Sequence, residues 1–187
     1  MANSPKAEVY VALLRGINVG GKNSLPMKDL AGMFEKAGCG HVATYIQSGN
    51  VVFQADAKLA KQIPVAIAKA ILKGFKMEIP IIVRSAKDLL RISKGNPFFK
   101  SGGTIDTVHV AFLSKNPNPK AIQLLDPKRS PGDEFRVIGS EIYLHCPHGF
   151  GRTRLTNQYF DSKLSTVSTI RNWKTVLKLL EMTKSAS

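Results

Sequence analysis

The chain of 187 residues has little of several features that mark particular protein classes. Two cysteines, Cys39 and Cys146, are too few for a disulfide framework and indicate reduced thiols in a cytoplasm. No apolar run approaches the ~20 residues that a membrane helix needs. The N-terminal apolar run, residues 9–14, is too short for the core of a signal peptide. We therefore expect a cytoplasmic protein with no membrane partner.

Acidic residues and catalytic motifs are also scarce. The chain has 13 Asp and Glu against 27 Lys and Arg, which gives a net charge of +14. No carboxylates are paired as acid–base chemistry would use them, and GxSxG and HExxH do not occur. The His145-Cys146-Pro147-His148 stretch lacks the further ligands of tetrahedral zinc. The sequence thus predicts no metal site and no cofactor, and it leaves any catalytic residue unknown.

Apolar periodicity and turn residues predict alternating strands and helices in the first half of the chain. We expect Ser24 to cap the first helix and Pro64 to begin the regular part of the second helix. We also expect the first strand to lie between the strands near Val42 and Glu78 in the sheet. The predicted strands are residues 8–15, 41–47, 50–55 and 78–84, with a last helix over 85–92. This β-α-β-β-α-β order is typical of the ferredoxin-like split βαβ unit.

The second half repeats much of this order. We predict strands over residues 104–113, 134–138 and 141–145 and helices over 118–125, 160–168 and 173–182, with no final strand. The strand VYVALLRG resembles the later VHVAFLSK, which suggests an internal duplication. The predicted fold is therefore α+β with two ferredoxin-like halves. Their predicted boundaries are 1–94 and 105–187, with the glycine-rich junction over 95–104.

Several motifs together resemble one family. They are the opening YVALLRGINVGGKNSLPMKDL, the hairpin TYIQSGNVVF, the NPF of the junction, and the closing GRTRLTNQYFDSKL and TIRNWKTVLKLLEM. In this order they resemble the bacterial family catalogued as domain of unknown function 1697, over nearly the whole chain. The resemblance implies a two-part α+β protein of bacterial cytoplasm. It implies no reaction, cofactor or partner.

The stretch LLRGINVGGKNS, residues 13–24, is the first candidate binding site. Glycines between a strand and a helix let an anion approach the backbone amides, and the helix dipole favours negative charge there. Arg15, Lys22 and two asparagines add donors, although the spacing matches neither the Walker motif nor GxGxxG. The alternative is that Gly20 and Gly21 only turn the chain.

The arginines of the C-terminal segment are the second candidate site. We expect Trp173, Val176, Leu177 and Leu180 to form the core face of the last helix, so that nearby cations remain for a ligand. The predicted ligand-binding residues are Arg15, Gly16, Asn18, Gly20, Gly21, Lys22, Asn23, Ser48, Asn50, Arg152, Arg154 and Arg171.

The positive charge favours nucleic acid or a phosphorylated small molecule as partner, unless the lysines are simply solvated. Tyr10 and Phe53 lie on the strands that stack bases in RNA-recognition motifs, although SGNVVFQA lacks the aromatics of that motif. Our main hypothesis is an anion-binding module for nucleic-acid backbone or a phosphorylated ligand. The alternative is an enzyme acting on a phosphorylated metabolite, with Asn18, Asn50, Arg154 or Arg171 orienting the substrate. A protein–protein adaptor is a third hypothesis.

Overall fold

A computed structural model describes residues 7–21 and 23–186 of the chain. The described residues of Met1–Leu90 and Lys178–Ser187 form one compact unit, and Arg91–Leu177 forms another. Each unit contains one four-stranded antiparallel sheet together with helices. The strand and helix patterns therefore predict the mixed α and β composition correctly.

The first unit alternates strands and helices as its sequence predicts. Its elements are β1 (Glu8–Leu14), α1 (Met27–Lys36), β2 (Gly40–Tyr45), β3 (Asn50–Ala55), α2 (Ala57–Phe75), β4 (Ile81–Ser85) and α3 (Ala86–Lys94), the last of which extends into the second unit. Side chains from one face of β1 pack with α1 and α2 in a core that includes Tyr10, Leu14, Phe34, Ile63 and Ile67.

The strand order of the first sheet is β2-β3-β1-β4, so β1 is an interior strand. It pairs antiparallel with β3 on one side and with β4 on the other. The predicted neighbour near Val42 is wrong, because Val42 lies in β2 at the edge of the sheet. The hairpin places its more apolar strand, NVVFQA, inside the sheet and leaves the half-exposed GHVATY outside. In this sheet β3 is buried at five of its six residues, and burial of apolar side chains favours the more apolar strand there.

Both predicted helix starts in this unit are corrected. Helix α1 begins at Met27 after Pro26, and no side chain caps it, so Ser24 is not the cap. Helix α2 begins at Ala57, because the Asp56 carboxylate accepts a hydrogen bond from the amide of Leu59 at 2.8 Å. The helix continues through Pro64, and its buried apolar stripe offsets the hydrogen bond that the proline cannot make.

The second unit contains one strand more than its sequence predicts. Its elements are β5 (Val108–Leu113), α4 (Pro119–Ile122), β6 (Glu134–Ile138), β7 (Glu141–His145), α5 (Asn157–Leu164), β8 (Ser168–Asn172) and α6 (Trp173–Ser185), the last of which ends in the first unit. The strand order is β6-β7-β5-β8. The prediction of no final strand is therefore wrong. The predicted helix over 160–168 in fact covers Asn157–Leu164, which leaves β8 free to pair with β5.

Helix α6 follows β8 without an intervening loop. The Asn172 side chain caps it by accepting a hydrogen bond from the amide of Thr175 at 2.8 Å. Trp173 is 2% exposed, with its ring centroid 5.3 Å from that of Phe99, and is a core anchor as predicted. Leu177 is exposed, so its predicted place in the core is wrong. No helix within residues 7–21 and 23–186 is long and apolar enough to span a bilayer.

Two glycines of the first unit share a left-handed backbone, but only one of them is crowded by neighbouring side chains. Substitution of each by alanine therefore distinguishes the stability cost of backbone strain from that of a steric clash. Gly49 and Gly21 have nearly equal φ, +72° and +71°. A Cβ atom on Gly49 would lie 2.7 Å from the Cβ of Leu14, whereas a Cβ on Gly21 meets no heavy atom within 4 Å. We expect Gly49→Ala to lower the free energy of unfolding by about 2–4 kcal/mol and Gly21→Ala by about 1 kcal/mol. Urea denaturation of both variants checks this, and equal losses would contradict the packing at Gly49.

Candidate functional site

The segment between β1 and α1, residues 15–26, is called the opening loop below, and Asn18 holds it together. The Asn18 side-chain amide donates hydrogen bonds to the carbonyls of Leu25 and Gln47, each at 2.9 Å, and its Oδ1 accepts one from the Leu25 amide at 2.7 Å. Its backbone amide donates to the Asn23 carbonyl at 3.0 Å. Asn18 adopts φ 54°, a left-handed conformation that asparagine tolerates better than most residues. One side chain thus connects both ends of the loop with the turn between β2 and β3.

A second asparagine closes the loop on itself, and a third orders the neighbouring turn. The Asn23 side-chain amide donates to the carbonyl of Gly16 at 2.8 Å. The buried Asn50 side-chain amide donates to the Ser48 hydroxyl at 2.9 Å and to the Tyr45 carbonyl at 3.2 Å. These contacts give the predicted Asn18, Asn23 and Asn50 a structural role in shaping the loop and the turn.

The glycines present the outer surface of the opening loop. Gly16, Gly20 and Gly21 are exposed, with φ of +73°, +58° and +71°, and a Cβ on any of them would meet open space. The backbone there is thus accessible to a ligand without a side chain in the way. Because no side chain caps α1, the first amides of that helix are also left without a side-chain acceptor. The positive φ of Gly20 and Gly21 is what a turn requires, and their exposure is what a bound ligand would require.

The cations predicted for the site are distributed unevenly. Arg15 is half-buried directly after β1, and its backbone amide donates to the Pro80 carbonyl at 3.1 Å. Lys22 lies outside the described residues. The first unit thus holds the predicted residues from Arg15 to Asn50, and among its described residues Arg15 is the cation of this set.

The three predicted arginines of the C-terminal segment belong to the second unit. Arg152 and Arg154 are exposed, and the Arg154 backbone amide donates to the Ser130 hydroxyl at 3.0 Å. Arg171 is buried in β8, where its guanidinium donates to the Thr169 hydroxyl at 2.8 Å and to the Ile170 carbonyl at 3.0 Å. Burial lowers the pKa of Arg171 to about 10. Arg171 therefore packs within the sheet region, whereas Arg152 and Arg154 remain accessible.

The two thiols and the aromatic pair that the sequence offers for base stacking are buried. Burial raises the pKa of both thiols, Cys39 and Cys146, to about 11, so neither is a thiolate near neutral pH. Tyr10 and Phe53 stack on each other with ring centroids 5.8 Å apart inside the core of the first unit. They cannot stack bases as an RNA-recognition motif would. No three His, Cys, Asp or Glu residues cluster as metal ligands within 7–21 and 23–186.

Sequence reasoning missed the parts of the site that act through the backbone. The carbonyl of Gln47 and both backbone groups of Leu25 complete the contacts of Asn18. Their side-chain types carry no signal for this role, because any residue supplies the same carbonyl and amide. In the sequence, the asparagines of the loop are the residues whose type indicates these contacts.

Comparison with known proteins gives a family and a fold. The model of the family described as Protein of unknown function (DUF1697) matches residues 7–143. The solved structure of the conserved bacterial protein SP0830 from Streptococcus pneumoniae is similar, with a TM-score of 0.73 and 22% sequence identity. That match covers 95% of this chain and 99% of the other. At this identity the likeness concerns the fold alone. No curated protein gives a significant match.

The role of Asn18 in shaping the opening loop can be tested with a matched pair of variants. Asn18→Gly keeps the left-handed backbone accessible and removes the side-chain hydrogen bonds to Leu25 and Gln47 and a weak one to the Met27 sulfur, so we expect a loss of about 2–4 kcal/mol in the free energy of unfolding. Asn23→Gly, at φ 53°, removes one such bond and should lose about 1 kcal/mol. Urea denaturation measures both losses. We also expect the Leu25 amide to exchange faster with solvent in Asn18→Gly but not in Asn23→Gly. Equal losses of stability and equal exchange rates in the two variants would contradict the role of Asn18 in shaping the loop.

Proposed function

We propose that this chain, which belongs to the family described as Protein of unknown function (DUF1697), is an anion-binding module that holds phosphate groups at the opening loop. The observation that supports this is the exposed glycine backbone of a loop held in shape by Asn18, next to a helix start that no side chain caps. Backbone amides at such a position are suited to phosphate oxygens. We propose that the ligand is nucleic-acid backbone or a phosphorylated small molecule.

The charge of the chain supports the same function. A net charge of +14 attracts polyanions over a distance of about one Debye length, roughly 8–10 Å at physiological salt. The exposed Arg152 and Arg154 of the second unit are further cations for phosphate groups. Since Tyr10 and Phe53 are buried, we propose that recognition uses phosphates and not stacked bases.

We propose, in addition, that the two sheets belong to ferredoxin-like split βαβ halves related by duplication. The strand orders β2-β3-β1-β4 and β6-β7-β5-β8 place successive strands at corresponding positions, which supports this. In this proposal the halves are residues 1–94 and 105–187, joined over 95–104, with Lys178–Ser187 contributing to the first compact unit. A bacterial cytoplasm, where free thiols stay reduced, suits the two unpaired cysteines.

Salt dependence of binding tests the function and separates the two ligand classes. Single-stranded DNA, RNA and a nucleotide panel are titrated at about 50 and 200 mM NaCl. For nucleic acid we expect the logarithm of the binding constant to fall with the logarithm of salt with a slope of about −0.7 to −0.9 per phosphate contacted. For a phosphorylated small molecule we expect a slope near −1 and saturation at one ligand in the opening loop. No binding of either class at low salt would refute the proposal.

A matched pair of lysine variants attributes the binding to the opening loop. Lys22→Ala removes a cation of the loop, and we expect it to weaken binding about tenfold or more, since charge-assisted hydrogen bonds contribute roughly 1.5–3 kcal/mol each. Lys36→Ala removes the same charge at the far end of α1 and should leave the affinity within about threefold. Equal weakening by both variants would mean that net charge, and not the loop, carries the binding.

A further inference from the structure

We infer that the second unit carries an anion-binding cleft of its own, formed by Lys115, Lys120 and Lys163 and called the lysine cleft below. These lysines line an open concavity of about 590 Å³. Volumes of about 300–1,000 Å³ are typical of small-molecule sites. The site is separate from the opening loop, and none of its residues is in the set predicted from the sequence.

The lysine cleft concentrates positive charge without a compensating acid. Its lining contains three lysines together with Asn116, Asn118 and Ser165, and it contains no Asp or Glu. All three lysines are exposed, and none forms an ion pair with a residue in the described ranges. Three like charges in one concavity repel each other, and an anion bound between them removes that repulsion. An ordinary solvated surface would intersperse acids among the lysines.

The backbone that carries the lysine cleft is held in place by hydrogen bonds on both sides. The amide of Ser114 donates to the Val167 carbonyl at 2.8 Å, and the hydroxyls of Ser114 and Thr166 are 3.0 Å apart. These bonds fix Lys115 beside the end of α5. The Asn118 Oδ1 accepts a hydrogen bond from the backbone amide of Lys120 at 2.9 Å, which fixes the second lysine. The cleft therefore exists before any ligand binds.

The rest of the lining indicates what kind of anion fits. Ala121, Leu124 and Leu164 add apolar surface, and the Leu124 side chain is 62% exposed. A ligand with a phosphate or pyrophosphate group and an organic body would pair its charge with the lysines and cover Leu124. Lysine is a flexible point charge that suits phosphate oxygens in several geometries. We therefore assign the cleft to a small phosphorylated molecule.

Lys163 also lies in the last turn of α5, where a cation complements the helix dipole. Lys120 lies in the same way in the last turn of α4, so that purely structural role applies to two of the lysines but not to Lys115, which lies in the loop after β5. A binding measurement distinguishes the two roles, because only a ligand site requires all three.

Calorimetric titration of the full chain with pyrophosphate and with ADP tests the inference. In the Lys22→Ala background, which weakens the opening loop, we expect saturable binding of both, and the added triple change Lys115→Gln, Lys120→Gln, Lys163→Gln should weaken that binding about 30-fold or more. The control triple Lys94→Gln, Lys100→Gln, Lys128→Gln removes the same charge from exposed lysines of the same unit outside the cleft and should stay within about threefold. Because Lys22→Ala leaves the lysine cleft intact, failure of this site and failure of the opening loop are distinguishable.

Amine labelling of the unmodified protein gives a second readout that does not depend on the variants folding. We expect pyrophosphate to slow acetylation of Lys115, Lys120 and Lys163 at least threefold relative to Lys100 and Lys128. Tighter ADP than pyrophosphate binding would support the assignment to an organic phosphate. Equal loss of affinity in the two triples, uniform labelling with and without ligand, or no saturable binding would overturn the inference.

Discussion

The hydrogen bonds of Asn18 are the constraint on which the proposed site depends. One amide group joins the end of β1, the entry to α1 and the turn before β3. With the loop fixed in this way, Gly20 and Gly21 can remain exposed without the backbone collapsing onto the sheet. The interior position of β1 supplies the rigid base, since β1 is paired on both sides and most of its residues are buried. In the proposed function a ligand would meet a loop that these bonds already order, which would reduce the entropy lost on binding.

The two proposed sites differ in the kind of positive charge that they offer to an anion. In the first unit the proposed binding groups are mainly backbone amides, which carry partial charge and do not titrate. In the second unit the lysine cleft offers full charges on flexible side chains. Arg171 shows that not every cation is available, because its guanidinium is buried and bonded to Thr169 and Ile170. A count of charges along the sequence does not distinguish exposed backbone amides, exposed lysines and a buried arginine. The burial of each group in the structure does distinguish them.

The sequence predicts most of the strands and helices correctly, and the binding site stays a prediction. Elements with strong periodicity or a clear turn, such as the hairpin of β6 and β7, have the predicted bounds. Strand β8 was missed because it is only five residues long and continues directly into α6, so no turn residue separates strand from helix. The predicted neighbour of β1 is wrong because the residue pattern allows either strand of the hairpin to pair with β1. Which strand pairs depends on how deeply each is buried in the folded sheet, and β3 is the more buried of the two.

The site residues divide along similar lines. The opening loop can be proposed from the sequence because glycines and asparagines between a strand and a helix are a local pattern. The lysine cleft could not be found in this way, because Lys115 and Lys163 are far apart in the chain and meet only when the end of β5 lies beside the end of α5. The roles of Leu25 and Gln47 were invisible for a different reason, since they act through backbone atoms.

The most direct test of the central claim is a ¹⁵N–¹H NMR titration of the protein with pyrophosphate, followed at the amides of the opening loop. The account predicts saturable shifts at Gly20 and Gly21 and at the first amides of α1, with the amides of β1 and β3 unchanged, because the loop is already in its bound shape. Binding that leaves the amides of Gly20 and Gly21 unshifted would contradict the claim that this backbone holds the anion.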